Sequence, residues 1–185
     1  IHRNDEQLEQ INEKANELMK ALRAKGVSVK YDNRTSYKPG WKFNEYEMKG
    51  VPVRIAIGPK DLENGTVEVA RRDLLEKQFM AMEDVESAVP ALLEEIQENL
   101  FSKALTYRDE HITEVNDFES FKELLNTKTG FLSCHWDGTA ETEEEIKNLT
   151  KATIRCIPLD AKEEEGKCIL TGAPSSKRVL FAKAY

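Results

Sequence analysis

Two segments with alternating apolar residues, VPVRIAIG (51–58) and TVEVARR (66–72), constrain the fold more than any other feature of the sequence. An alternation with a period of two is typical of half-buried β-strands, and the PKDLENG segment between them is rich in turn-forming residues. Pro52 stands among the first residues of its segment, where a strand tolerates a missing N–H. These segments therefore predict two strands joined by a turn.

Helical patterns alternate with these strands. Apolar residues recur at helical spacing from Asp5 to Lys25, where Asn4 or Asp5 can cap the start and Gly26 follows the end. VSVKYD alternates as a further strand, and WKFNEYEMKG reads as a short helix or a turn that Gly50 ends. This order predicts an α/β unit with a mixed, partly parallel sheet flanked by helices.

The C-terminal part of the chain shows a different arrangement. A second long helical pattern runs from about Met82 to His111, and Asp117 opens a shorter helix. FLSCHW reads as a strand, and Thr142 with Glu145 is interpreted as a capping box for another helix. ATIRCIPL, GKCIL and RVLFAKAY read as strands, so this part is predicted to be a small α+β domain.

Charge divides along the same boundary. Residues 1–82, predicted to form the first domain, hold 15 Lys and Arg against 13 Asp and Glu. Residues 83–185, predicted to form a linker helix and the second domain, hold 12 against 21. Although the whole chain has a net charge of −7, a polyanion such as nucleic acid is therefore expected to meet the first domain.

The cysteines and the start of the chain bear on its cellular setting. Cys134, Cys156 and Cys168 are few, odd in number and unpaired in spacing, which favours buried thiols in a reducing, cytoplasmic environment over disulfides or zinc. No apolar run reaches the roughly 18 residues that a membrane helix needs. The chain opens with Ile1 and shows no signal peptide, so we interpret it as a fragment of a longer protein.

No recognisable catalytic or nucleotide-binding motif is present in the sequence. It lacks G-x-x-x-x-G-K-[ST], and no G-x-G-x-x-G follows a strand. The three histidines are scattered, and no Ser or Cys lies in a nucleophile motif. We therefore expect no complete catalytic site within these 185 residues.

The segment from Pro39 to Asp61 mixes aromatic, cationic and acidic side chains. Trp41 and Phe43 offer flat surfaces, several Lys and Arg offer cationic contacts, and Glu47 offers an acceptor for base N–H groups. Proteins read single-stranded RNA with this combination of stacking and hydrogen bonding. From the residues alone, RNA reading and plain packing at a sheet edge remain equally open.

The order of residues in this region resembles one family closely. VSVKYDNRTSYKPGWKFNEYEMKGVPVRIAIGPKD and ENGTVEVARRD resemble the anticodon-binding domain of the prolyl-tRNA synthetases. ATIRCIPLD, GKCILTG and RVLFAKAY are similar to the C-terminal domain of the archaeal/eukaryote-like form. The resemblance implies a homodimeric, cytoplasmic class II synthetase that uses ATP and Mg²⁺, whose catalytic domain precedes residue 1. It also implies that the chain begins as the first strand of the anticodon-binding domain ends.

The resemblance implies specific readers of the two guanines that proline anticodons share. Glu47 would accept the guanine N–H groups, and Arg54 would bind O6 and N7 or a phosphate. Lys60 would add a cationic contact. Phe43 and Trp41 would serve as walls or stacking surfaces.

Two further features of the family fall in the C-terminal domain. Many relatives bind zinc through four cysteines there, and the resemblance places Asp137, Thr142, Cys168 and Thr171 at those positions. Because only one thiol remains of four, we expect no zinc. The resemblance also implies that the terminal carboxylate of Tyr185 reaches toward the active site of the catalytic domain.

Two other functions are considered beside the synthetase. One is a free-standing, non-catalytic RNA-binding or regulatory module, against which Ile1 and the missing first strand count. The other is a purely structural or dimer-forming appendage.

Overall fold

A computed structural model describes residues 5–184, apart from the side chain of Asp5. Its helices are α1 (Asp5–Ala24), α2 (Pro39–Met48), α3 (Pro59–Asn64), α4 (Val85–Glu110), α5 (Phe118–Thr127) and α6 (Ala140–Thr150). Its strands are β1 (Val53–Ala56), β2 (Thr66–Arg71), β3 (Glu76–Ala81), β4 (Ile112–Glu114), β5 (Phe131–His135), β6 (Ala152–Cys156), β7 (Gly166–Lys167), β8 (Pro174–Ser175) and β9 (Arg178–Lys183). The chain divides into two compact units, Ile1–Lys103 and Ala104–Tyr185.

The first unit is built on an antiparallel sheet in the order β1-β2-β3. Because side chains alternate along β2, Val67 and Val69 point to one face, where they are fully buried against α1 and α4. Glu68 points to the opposite face, which the core does not cover. The sheet is therefore two-sided, with one face in the core and the other available for a site.

Three details of the first unit differ from the sequence-based predictions. VSVKYD is not a regular strand, although Val27 and Val29 pack half-buried against the core. The strand β3 was not expected, because its sequence EKQFMA does not alternate between polar and apolar residues. It forms by pairing with β2 across a tight turn in which Leu75 has a φ of 58°. The described strands of this unit pair antiparallel, so the partly parallel sheet predicted here is not found within residues 5–184.

The division between the units also differs from the predicted boundary between residues 82 and 83. Residues 85–103 of α4 belong to the first unit, because the apolar face of this part of the helix completes that core. The buried residues of this face are Val85, Val89, Leu92 and Ile96.

The second unit contains a four-stranded sheet in the order β4-β5-β9-β6, with β4 and β5 parallel and the other pairs antiparallel. Its core includes Phe121 and Phe181, whose rings meet edge to face. Asp117 caps α5 by accepting a hydrogen bond from the Ser120 N–H at 2.8 Å, as predicted. The cap of α6 is Thr139, not Thr142, so the predicted capping box is wrong.

The structure confirms the α/β class, with sheets flanked by helices. Within residues 5–184, no helix is both long enough and apolar enough to cross a membrane. Asn4 and Tyr185, to which the sequence analysis assigned roles, lie outside the described residues.

Candidate nucleic-acid interface

The open face of the first sheet carries a cleft of about 520 Å³, which we call the Phe43 cleft. Strand register builds its floor, because Glu68 of β2 lies opposite Ala56 of β1 on one side and opposite Phe79 of β3 on the other. The helices α2 and α3 supply the remaining walls. The lining residues are Phe43, Ala56, Lys60, Asp61, Asn64, Thr66, Glu68, Lys77 and Phe79.

Arg54 lies at the rim of the cleft, against the ring of Phe43. Its guanidinium carbon is 3.6 Å from the ring centroid, a cation–π contact, and its Nη1 donates to Glu68 Oε1 at 3.1 Å. A guanidinium has five N–H donors, so these contacts orient Arg54 without exhausting its hydrogen bonds. The structure thus brings two of the predicted site residues together.

Glu47 lies one helical turn after Phe43, so both side chains share a face of α2. Arg72 fixes this end of the helix, since its Nε donates to the Glu47 carbonyl at 2.8 Å. Gly50 then reverses the chain with a φ of 75°, which favours glycine. The carboxylate of Glu47 is exposed and has no ion-pair or hydrogen-bond partner among the described residues.

Lys60 stands in the first turn of α3 and lines the cleft. The neighbouring carboxylate of Asp61 is already engaged, because its Oδ2 accepts from the N–H of Gly58 at 2.7 Å. Lys60 itself is exposed, and within residues 5–184 no partner engages its ammonium group. It is therefore an available cation.

Trp41 does not line the cleft. Its ring stacks on Tyr37 at a centroid distance of 4.0 Å, and the Arg34 guanidinium lies over both rings. Trp41 is two residues from Phe43 and so points to another side of α2. The structure therefore separates Trp41 from Phe43, Arg54 and Lys60.

The segment before α2 is held by ion pairs around Arg34. Its Nη2 lies 2.6 Å from Asp32 Oδ2 and also contacts Glu45 of α2. The hydrogen bonds from Arg34 hold the pKa of Asp32 well below its usual range. This network anchors α2 in the orientation that presents Phe43 and Glu47.

The lining residues that the sequence analysis did not propose include Glu68, Lys77 and Phe79. The alternation of TVEVARR was sufficient to place Glu68 on the face opposite Val67 and Val69. Phe79 had no comparable signal, because its strand was not recognised.

Three of the four positions that the family resemblance assigns to zinc meet in the second unit. Asp137 Oδ2 accepts from the hydroxyls of Thr142 and Thr171 at 2.8 and 2.9 Å. Asp137 Oδ1 accepts from the N–H and hydroxyl of Thr139 at 3.1 and 2.9 Å. We call these four residues the Asp137 cluster. Burial raises the pKa of Asp137, but the hydrogen bonds outweigh it and hold the pKa at about 2.

The donors at these positions do not fit a zinc ion. Structural zinc sites use thiolates, imidazoles and carboxylates, whereas two of the four side chains at these positions, Thr142 and Thr171, are threonines. The carboxylate of Asp137 already accepts four hydrogen bonds. Among the described residues, no group of three or more His, Cys, Asp or Glu side chains is arranged to hold a metal.

The cysteines have different surroundings. Burial raises the pKa of Cys134 to about 12, with a further contribution from the neighbouring Cys168, so this thiol stays protonated at neutral pH. Cys168 is also buried. Cys156 is exposed, which corrects the expectation of a buried thiol, because the second half of β6 faces solvent after an irregularity in its pairing.

Comparisons with known families match both units. The model of the family "Anticodon binding domain" matches residues 1–92. The model of the family "Prolyl-tRNA synthetase, C-terminal" matches residues 118–185.

Individual relatives agree with these matches. The proline--tRNA ligase of Flavobacterium johnsoniae is 68% identical over the whole of this chain, which covers 38% of that protein. That of Porphyromonas gingivalis is 59% identical, and the chain covers 37% of it. The chain thus spans less than two fifths of the length of these relatives.

A solved structure extends the likeness to the fold. The crystal structure of prolyl-tRNA synthetase from Cryptosporidium parvum, complexed with L-proline and AMP, superposes with a TM-score of 0.85 at 36% identity. It covers 94% of this chain, and this chain covers 37% of it. The two domain matches, in this order, favour a synthetase region over a free-standing RNA-binding module. The chain therefore belongs to the prolyl-tRNA synthetase family, as the region that contains its anticodon-binding and C-terminal domains.

Proposed function

We propose that this chain recognises the guanines of proline anticodons through the Phe43 cleft. The observation that carries the proposal is the packing of Arg54 on Phe43 beside two unpaired charges, Glu47 and Lys60. Guanine presents N–H donors on one edge and the acceptors O6 and N7 on another. A free carboxylate and an oriented guanidinium complement these edges.

In this proposal each residue has a separate task. Glu47 accepts from N1–H and N2–H₂ of a guanine, and Arg54 donates to O6 and N7. Phe43 holds the guanidinium flat, which favours bidentate contact, and Lys60 attracts the phosphate backbone. Trp41 shapes the segment that precedes this surface, through its stack with Tyr37.

Atom-level changes in the RNA test these tasks. Replacing the anticodon guanines of a proline tRNA stem–loop by inosine removes the N2 amine, and replacing them by 7-deazaguanine removes the N7 acceptor. We expect Glu47→Gln to reduce the affinity cost of inosine, because the amide keeps one acceptor and loses the charge. Arg54→Lys should reduce the cost of 7-deazaguanine, because an ammonium lacks the planar fork that binds O6 and N7 together. Each such double-mutant cycle combines a protein substitution with a base substitution and separates the energy of one pairwise contact from the general loss of affinity.

Matched controls separate base reading from charge. Glu98→Gln changes an exposed carboxylate of α4, and Arg155→Lys changes an exposed arginine of β6. Both controls should leave the costs of inosine and 7-deazaguanine as they are in the wild type. If Glu47→Gln and Arg54→Lys also leave them unchanged, these residues are not base readers.

For the whole enzyme, we propose that the chain serves a homodimeric, cytoplasmic proline--tRNA ligase that uses ATP and Mg²⁺ in a catalytic domain of the same polypeptide. The relatives of that name support this role. Tyr185 is proposed to reach toward that catalytic domain. Deleting it from the full-length enzyme should slow proline activation, and unchanged kinetics would remove it from the site.

We also propose that the Asp137 cluster replaces the zinc of other family members. The support is the donor set, which satisfies its own carboxylate with hydrogen bonds. Metal analysis of protein purified without chelator should find far less than one zinc per chain. A stoichiometric zinc content would refute the replacement.

A further inference from the structure

Phe79 is the most exposed aromatic side chain that lines the Phe43 cleft. It is 71% exposed on β3, between the polar Gln78 and the apolar Met80. Burying a phenylalanine ring is one of the larger contributions that a side chain makes to folding, and this ring makes little of it. Its position in a cleft that also contains the unpaired cation Lys60 calls for a functional explanation.

Strand register fixes where Phe79 lies relative to the proposed guanine readers. Phe79 is paired with Glu68 across β2 and β3, and Glu68 binds Arg54 of β1 at 3.1 Å. Arg54 is paired with Ala70, two residues from Glu68 along β2. Two strand spacings of about 4.8 Å and this stagger of two residues therefore separate the backbones of Phe79 and Arg54 by roughly 12 Å. The ring therefore stands on the same open face, across the cleft floor from Arg54.

The charges around the ring favour an anionic partner. Of the two carboxylates that line the cleft, Asp61 is engaged by the N–H of Gly58, and Glu68 is engaged by Arg54 and also lies 3.7 Å from Lys77 Nζ. Lys60 keeps its charge unpaired among the described residues. An exposed ring in a cleft with an available cation matches the surfaces on which single-stranded nucleic acids stack their bases.

We propose that Phe79 is a stacking platform for a base of the anticodon loop that neighbours the guanines read by Glu47 and Arg54. This inference rests on the proposed function of the cleft. It extends the interface onto β3, to a residue that has no role in that proposal. Phe79 contributes affinity without sequence preference, because every base has a flat face to stack.

The test compares binding of the whole chain to the proline tRNA anticodon stem–loop at one fixed salt concentration. Phe79→Ala should weaken binding roughly five- to hundredfold, the range found when a stacking aromatic is removed. Phe79→Tyr should retain the affinity, and Phe79→Leu should lose most of it because it keeps an apolar side chain without the ring. The loss should be equal for stem–loops with guanine or adenine at the reading positions.

Phe101→Ala is the matched control, since Phe101 of α4 is 62% exposed and does not line the cleft. It should bind as the wild type does. If the wild type binds and discriminates guanine but Phe79→Ala binds within twofold of it, the role of Phe79 is overturned and the proposed function stands. A wild-type chain that does not bind the stem–loop overturns both. If Phe79→Ala and Phe101→Ala lose affinity to the same extent, the effect comes from apolar surface in general, and the role of Phe79 as a stacking platform is also refuted.

Discussion

The Phe43 cleft and the Asp137 cluster differ in whether their polar side chains have hydrogen-bond partners within the protein. Lys60 of the cleft, and Glu47 on the same face of α2 as Phe43, have no partners among the described residues. In the cluster, each of the two carboxylate oxygens of Asp137 accepts two hydrogen bonds from threonines of the second unit. A polar group without a partner contributes little to folding and remains available for a ligand, whereas a satisfied network stabilises the fold and offers nothing to one. The difference assigns recognition to the first region and structural stability to the second.

The largest effect is expected from converting the cluster back into a metal site. The triple variant Asp137→Cys/Thr142→Cys/Thr171→Cys, together with the native Cys168, would place thiols at all four family positions. We expect it to bind about one zinc per chain, since structural zinc contributes on the order of 10 kcal/mol to folding. Its thermal unfolding should depend on chelator, while that of the wild type should not.

The same triple variant with Cys168→Ser is the control, because it lacks the fourth thiol. It should bind zinc more weakly. If the triple variant itself takes up no zinc, the four positions do not form a common site, although the hydrogen bonds of Asp137 bring three of them together.

A second closed cluster sharpens the comparison within the first unit. The side chain of Asp73 is only 1% exposed; it accepts from Arg71 at 2.8 Å and from the Asn99 amide. The hydrogen bonds from Arg71 hold the pKa of Asp73 well below its usual range. Removing one partner of a buried ion pair is strongly destabilising, so Asp73→Ala should lower the free energy of unfolding by about 3 kcal/mol.

Denaturant unfolding measures this change, and Glu76→Ala on the exposed β3 is its control. RNA affinity of the folded Asp73→Ala chain should stay near that of the wild type. A large loss of affinity without a loss of stability would place Asp73 in the recognition surface and break the comparison.

Asp137→Asn should have an intermediate effect on stability. It removes a charged acceptor of four hydrogen bonds, and we expect a loss of about 1–3 kcal/mol at pH 7. The folded pKa of Asp137 is about 2 against an ordinary value of 3.8, so the carboxylate stabilises the fold fully above the ordinary value. This contribution is lost as the pH falls through about 2.

The stability difference between the wild type and Asp137→Asn should therefore be constant above about pH 5 and shrink toward pH 2. Urea unfolding at several pH values measures it. A difference that stays constant down to pH 2 would mean that ionisation of Asp137 does not contribute to folding.

The smallest stability effect is expected at Glu47. Since its carboxylate has no partner among the described residues, Glu47→Gln should change the free energy of unfolding by less than about 0.5 kcal/mol. Thermal unfolding of the two chains measures this. A destabilisation of more than 1 kcal/mol would show that Glu47 stabilises the fold and that its carboxylate is not simply available for a ligand.

Local sequence patterns were sufficient for much of the fold. The alternation around Arg54 and Val67 predicted β1 and β2, and the spacing of Leu18 and Leu22 predicted α1, because each pattern reports one element packing on one core. The strand with Phe79 could not be predicted in this way, since hairpin pairing with β2 creates it and its own residues do not alternate between polar and apolar. The register between strands depends on tertiary structure and cannot be predicted from the periodicity of a single segment.

The sites show the same division between local and long-range information. The resemblance named Phe43 and Arg54, but their contact depends on how α2 lies across β1. Asp137 and Thr171 are 34 residues apart, and only the folded second unit brings them to 2.9 Å. Three hydroxyls around one carboxylate form no sequence motif. The sequence therefore showed that the zinc-binding thiols are missing, but it did not show the hydrogen-bond network that stands in their place.

The central claim is that the Phe43 cleft reads guanine, and its most direct test is one pair of dissociation constants. The first is the dissociation constant of this chain for the proline tRNA anticodon stem–loop. The second is its dissociation constant for the same stem–loop with both shared guanines replaced by adenine. Because each bidentate base contact contributes about 1–3 kcal/mol of discrimination, the adenine form should bind at least about tenfold more weakly. Arg54→Lys should reduce this ratio. Equal affinity of the wild-type chain for the two stem–loops would contradict the account.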